Sequence, residues 1–191
     1  MKPNGGALLR SRKDGDMEAY DFAQLALRLA LGGVMLAHGI KHARGRVKTS
    51  RWFGSIGFQR PMLQWFASTA TEIGVGVLLI TGLFTVAAAA GVIGIMVVAF
   101  VSVHRKIGFW ITARPDEGWE YVMVLAVVAS AVAIGGPGRV SLDEVIGIAT
   151  TLSGWVGVGA VVAGIVAAGT QLAVFFRPSS VVVDPVSSTA S

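Results

Sequence analysis

The sequence predicts an all-α integral membrane fold: a four-helix transmembrane bundle with a fifth transmembrane helix at its C-terminal end. Two observations predict it. Of the 191 residues, 53% are hydrophobic and only 14% are charged, where a soluble domain carries about 25% charged residues. The charges also fall in a few windows, and the uncharged runs between them are long enough to cross hydrocarbon, which takes about 20 apolar residues per helix and cannot solvate charge. The mean hydropathy of +0.68 agrees.

The chain divides by composition into a polar stretch over 1–20, a membrane core over 21–143, a further apolar segment over 144–177 and a polar end over 178–191. Residues 1–20 hold Lys2, Arg10, Arg12, Lys13, Asp14, Asp16 and Glu18 and read as a mobile tail. A secretory signal would place its short apolar core there; instead the first apolar run begins near Phe22 and leads into a basic loop, as a retained membrane helix does. This first helix is expected over Asp21 to Ile40, with Arg28 inside it. The loop from Lys41 to Met62 carries Arg44, Arg46, Lys48, Arg51 and Arg60, and its Trp52-Phe53-Gly54-Ser55-Ile56-Gly57-Phe58 segment suits the aromatic belt at a membrane interface.

The run from Leu63 to Val103 is about twice the length of one span and is interrupted only by Glu72. It reads as two helices, 63–84 and 87–104, reversing near Gly82 and Thr85, with Ala87 to Ala90 permitting close contact at the hairpin. After a charged loop from His104 to Gly118, a fourth helix is expected over Trp119 to Ile134, ending at Gly135-Gly136-Pro137-Gly138. Ser141 has the look of a helix N-cap, with Asp143 and Glu144 in the first turn, where the helix dipole favours acids. The last apolar segment, Val145 to Phe176, has a core from Trp155 long enough to span. Gly159, Ala163 and Ala167 form one stripe of small residues on it, and Ala160, Gly164 and Ala168 another; such stripes either let a helix approach closely or reflect how common Gly and Ala are in membranes. The stretch after Arg177, rich in Ser and Val, is expected to be disordered.

Five spans put the N-terminus, the 84–87 turn and the 135–141 loop on one side, A, and the 41–62 and 104–118 loops with the C-terminus on the other, B. Ten basic residues lie on side B and five on side A, which favours B as cytoplasmic. Arg10, Arg12 and Lys13, beside the first helix, pull the other way. The net charge of +5 follows from these flanking residues, so it gives little support to nucleic-acid binding. No cysteine is present, which excludes a disulfide, a thiolate metal site or dithiol redox chemistry from this chain.

Ionisable side chains inside membrane helices are functional candidates, because burying them costs several kcal/mol. Here they are Arg28, His38, Glu72, His104 and Glu120, an intramembrane polar cluster. Arg28 and Glu72 both fall near mid-helix and are expected to pair, either to set the register of the first two helices or to handle a ligand or proton. His38, His42 and His104 fall at the side B ends of their helices, as does Glu120, and His38 and His42 share a helix face. Three readings stay open for that group: a divalent metal site, a pocket for a quinone-like head group, or a satisfied polar cluster joining helices. His42 falls close to the loop, and no metal is assigned. Trp119 and Tyr121 suit the interfacial belt. No phosphate-cradling loop, dinucleotide fingerprint, nucleophile elbow or zinc-protease motif occurs, and no catalytic residue is assigned.

Short motifs in a consistent order carry a resemblance. Leu27-Arg28-Leu29 with Ala37-His38-Gly39-Ile40-Lys41, then Thr71-Glu72-Ile73-Gly74-Val75-Gly76-Val77-Leu78-Leu79 leading to Gly82-Leu83-Phe84-Thr85, then Gly118-Trp119-Glu120-Tyr121 and Gly136-Pro137-Gly138-Arg139 with Ser141-Leu142-Asp143, together resemble the DoxX family of small polytopic bacterial membrane proteins. The resemblance runs over 22–143 and implies a four-helix membrane core. It also implies a multi-pass protein of the bacterial inner (plasma) membrane, acting with redox or detoxifying partners; some relatives are subunits of a thiosulfate:quinone oxidoreductase. The lack of cysteine argues against covalent sulfur transfer here, and the extra helix suggests a docking surface for a protein partner. The leading expectation is therefore a non-catalytic subunit or scaffold of a membrane-associated redox or respiratory complex. The rival is a quinone-reactive subunit whose pocket is formed by His38, Glu72, His104 and Glu120. A solute transporter is disfavoured, since neither an internal repeat nor a broken-helix pair is seen.

Overall fold

The computed structural model describes the backbone of residues 5–114 and 116–178, and side chains from Glu18 onward except Pro115. The C-terminal segment expected to be disordered falls outside these residues from 179 on, as do residues 1–4 of the N-terminal tail.

Helix α1 runs from Gly5 to Arg44. The polar stretch expected as a tail is thus helical from Gly5, because Ala, Leu, Met, Arg, Lys and Glu favour a helix and no proline interrupts it before Pro61. Its part from Glu18 to Arg44, 27 residues, is long and apolar enough to cross a membrane. Lys41, His42 and Arg44 sit in its last turn, where the negative end of the helix dipole favours cations.

The loop expected over 41–62 contains a short helix, α2, from Arg46 to Ser55. Helix α3 follows from Pro61 to Thr81, with proline in its first turn, where a missing N–H costs nothing. It stops at Gly82, whose φ of +68° is left-handed. Gly82 N–H donates to Leu79 O and Leu83 N–H to Leu78 O, the paired bonds of a Schellman turn. The predicted reversal is confirmed, and α4 begins at Thr85 and ends at Ser102. A single 3-10 turn at His104–Lys106 leads into the 107–118 loop. Helix α5 spans Glu120–Gly135; it is apolar but shorter than the other spans.

The apolar run after Asp143 is not continuous. Ser141 caps α6, Leu142–Val145, by accepting from Glu144 N–H, as the sequence indicated. Gly147 and Gly154 then adopt φ of +78° and +61°, breaking the run before α7, Trp155–Phe175. Among the described residues, four helices are long and apolar enough to cross a membrane: the Glu18–Arg44 part of α1, and α3, α4 and α7. With α5 they form an all-α membrane bundle traversed alternately from side A to side B.

Helix α4 stands at the centre and packs on α3, α5 and α7, while α1 packs chiefly on α3. Close approach depends on missing side chains. A Cβ on Gly32 would lie 2.9 Å from Gly76 O, and one on Gly39 would lie 2.9 Å from Ile73 N, so α1 and α3 touch backbone to backbone. The same device seats α7, where Gly157 abuts the Ala133 carbonyl and Gly164 the Ala90 carbonyl. Of its two stripes, Ala160, Gly164 and Ala168 is the one turned inward, with Gly164 and Ala168 buried. Helix α7 thus packs on α4 and α5 through this stripe, while most of its other residues stay exposed. Its side B end is also tied down, because Gln59 N–H donates to Phe175 O and Arg177 N–H to Gly57 O.

Candidate functional site

The predicted polar residues separate into two centres at opposite ends of the bundle. On side A, Arg28 is fully buried. Its Nη2 donates to the Val140 carbonyl, its head abuts Gly82, and it stands beside Asp143. Asp143, also fully buried, accepts from Phe84 N–H at 2.7 Å and Thr85 N–H at 2.9 Å. It therefore caps the N-terminus of α4 from a distant loop. Asp21 accepts from Arg139 N–H at 2.9 Å and lies 3.3 Å from its guanidinium, while the Tyr20 hydroxyl donates to the Gly135 carbonyl. These contacts tie α1 to the loop after α5.

Glu72 is elsewhere. Its Oε2 lies 2.8 Å from His42 Nδ1, so the expected Arg28–Glu72 pair does not form. The reason is register. Gly32 meets Gly76 and Gly39 meets Ile73, which sets Arg28 opposite Gly82 and Glu72 opposite the last turn of α1. Those two levels on α3 are about 15 Å apart along the axis at 1.5 Å per residue. Double changes at Arg28 and Glu72 are expected to cost the sum of the single costs to within about 0.5 kcal/mol, whereas Glu72 and His42 should couple; thermal melting in detergent measures both.

On side B the Glu72–His42 pair faces a half-open cavity of about 550 Å³ between α3, α4 and α7, with Trp52 and Phe53 of α2 at its edge. Its walls are mainly small apolar residues, including Gly91, Gly94, Ala163 and Ala167, with Ser68, Thr71, Ser102, His104 and Gln171 as further polar groups. Small side chains on both α4 and α7 leave the space that larger ones would fill. Trp65 Nε1 donates to the His42 carbonyl at 2.9 Å and holds the end of α1 in place. Buried Gln64 accepts from Gln171 Nε2 at 2.8 Å, a polar clasp between α3 and α7.

Of the four residues expected to form the pocket, Glu72 and His104 line this cavity and the other two do not. His38 is exposed on α1, its ring 6.4 Å from that of His42. Glu120 accepts from Ile111 N–H at 3.2 Å and braces the 107–118 loop. His104 keeps Nδ1 2.7 Å from the Glu117 carbonyl. The histidines therefore do not converge, and among the described residues no group of three His, Asp or Glu is placed to hold a metal. His42 takes the role expected of His38, one turn further on because α1 continues to Arg44. The Gln64–Gln171 clasp was visible only as two amides in apolar helices.

Residues 23–105 match the DoxX family model. Over this segment the chain is similar to the DoxX family. The match ends at Arg105, so it covers the apolar part of α1 together with α2, α3 and α4, whereas the resemblance read from the motifs extended to Asp143. The cavity is thus built mostly from the DoxX segment, and α7, beyond it, adds the last wall. No curated protein and no solved structure matches the chain.

Proposed function

We propose that this DoxX-like protein is the membrane subunit of a redox or respiratory complex of the bacterial inner membrane, and that its side B cavity receives a quinone-type head group. The observation that carries the reading is a buried carboxylate, Glu72, 2.8 Å from the half-buried His42 imidazole, facing a mainly apolar cavity of about 550 Å³. That volume and lining match small-molecule sites, which join apolar walls to a few converging polar groups. Ionisable groups at membrane depth are retained mainly where they serve a ligand or a proton.

The residues present fit such a head group. Apolar walls from α4 and α7 accept a flat ring, the hydroxyls of Ser68, Thr71 and Ser102 offer hydrogen bonds, and His42 with Glu72 can hold or pass a proton between Nδ1 and Oε2. A quinone, when bound, supplies two-electron acceptance coupled to protons. Without a cysteine the chain supplies no thiol of its own, so electrons would come from a partner protein.

The rival scaffold reading predicts no ligand, and one titration separates the two. A short-tailed benzoquinone added to the purified protein in detergent is expected to quench tryptophan fluorescence saturably, since Trp52 lines the cavity. Ala163→Leu with Ala167→Leu should fill the space and weaken binding about tenfold or more. Glu72→Gln should weaken it without emptying the site. A quench that never saturates, or one untouched by these changes, leaves the scaffold.

A further inference from the structure

The six basic residues Lys41, Arg44, Arg46, Lys48, Arg51 and Arg60 surround α2, and no Asp or Glu occurs between Asp21 and Glu72. All six are exposed. The ion pairs among the described residues, Asp21–Arg139 and Glu72–His42, leave every one of the six without a carboxylate. Arg46 instead lies over the Trp65 ring, 5.2 Å from its centre, an arrangement that keeps its charge available.

Helix α2 is held flat on the bundle by aromatic contacts. Phe53 is buried with its ring 5.6 Å from that of Phe58, which in turn lies 5.0 Å from Phe176. At 100° per residue, the buried face made by Ser50 and Phe53 is opposite the one carrying Lys48 and Arg51. Met62, Leu63 and Phe66, at the start of α3, are exposed apolar residues immediately beyond this basic face. A band of cations bordered by exposed apolar side chains matches the phosphates and acyl chains of a lipid leaflet.

We infer that the α2 face is a binding site for the phosphate groups of anionic phospholipids, held by Arg44, Lys48 and Arg51 with Arg46 and Arg60 flanking. The argument is one of charge complementarity: basic clusters at the end of a membrane helix attract anionic headgroups and lose that attraction in salt. The site would hold such lipids around α2 at the cavity edge and orient side B toward a leaflet rich in them.

The test uses the full-length protein, stripped of lipid in mild detergent and then exposed to equal amounts of phosphatidylglycerol and phosphatidylcholine. Native mass spectrometry counts what is retained. Phosphatidylglycerol should be preferred about tenfold or more, and the preference should fall as salt is raised. Arg44→Gln, Lys48→Gln and Arg51→Gln together should weaken its retention roughly a hundredfold, while the charge-matched change of Arg10, Arg12 and Lys13 to Gln should leave it intact. Equal retention of the two lipids by the unaltered protein overturns the inference. So does undiminished retention by the α2 variant, or an equal loss from the N-terminal one, which would mean that net charge alone is responsible. If an acidic protein binds this face while the two lipids are retained alike, the face serves a protein and the lipid site is likewise ruled out. The salt series on the unaltered protein decides the matter should the α2 variant fail to fold.

Discussion

Asp143→Ala is expected to destabilise the protein by about 2–6 kcal/mol, the cost of leaving two amides at the start of α4 without their acceptor. The carboxylate is fully buried and its two oxygens accept from Phe84 and Thr85 N–H. Phe84 holds a φ of +47° in the turn between α3 and α4, a conformation uncommon for a side chain of that size. Alanine would orphan both amides and leave the Arg28 guanidinium beside an empty site. Asp143→Asn keeps one acceptor and should fall between the two. Adding Arg28→Met to Asp143→Ala should recover part of the loss, since an apolar side chain of similar length needs no counter-charge. The melting midpoint in detergent reads all four proteins. If Asp143→Ala melts with the unaltered chain, the cap does not hold the turn.

The second large effect concerns α7. Gly157→Leu and Gly164→Leu would drive side chains into the carbonyls of Ala133 and Ala90, separating α7 from α5 and α4. Overpacking of this kind costs about 1–3 kcal/mol per site and more where backbone must move. Gly159→Leu is the control, because nothing lies within 4 Å of a Cβ there and its side chain would point outward. The two inward variants should lose thermal stability and open the cavity to a polar fluorescent probe; the outward variant should do neither. The opposite pattern, with only Gly159→Leu deleterious, would put the important contact of α7 on its outer face, as the docking expectation requires.

Much of the architecture was legible because it rests on local signals. Apolar run length located the spans to within a few residues. Gly82 marked the left-handed end of α3, and Ser141 marked a helix start because its hydroxyl sits three residues before an N–H that needs an acceptor. Less legible were features in which propensity and composition disagree. The segment 5–20 is polar, which suggested a tail, yet its residues are good helix formers and α1 simply continues through them. The run from Val145 looked like one long helix until Gly147 and Gly154 took positive φ. In the site, Glu72 stood out as a lone acid in an apolar run, and His104 as a histidine at a helix end. His42 was assigned to a loop because the end of α1 was placed one turn too early.

The sequence by itself determined that this is a membrane bundle and where its apolar spans lie to within a few residues. Hydropathy and turn chemistry act over one helix at a time, so a single chain displays them directly. Only the tertiary structure decided the partners. Arg28 meets Val140, and Glu72 meets His42, because Gly32 on Gly76 and Gly39 on Ile73 set how far α1 slides along α3. That offset comes from the fit of two surfaces far apart in sequence, and a shift of three residues would move each side chain by about 4.5 Å, past hydrogen-bonding reach. The cavity has the same origin: small residues on α4 and on α7 become a concave space only when the two helices stand side by side.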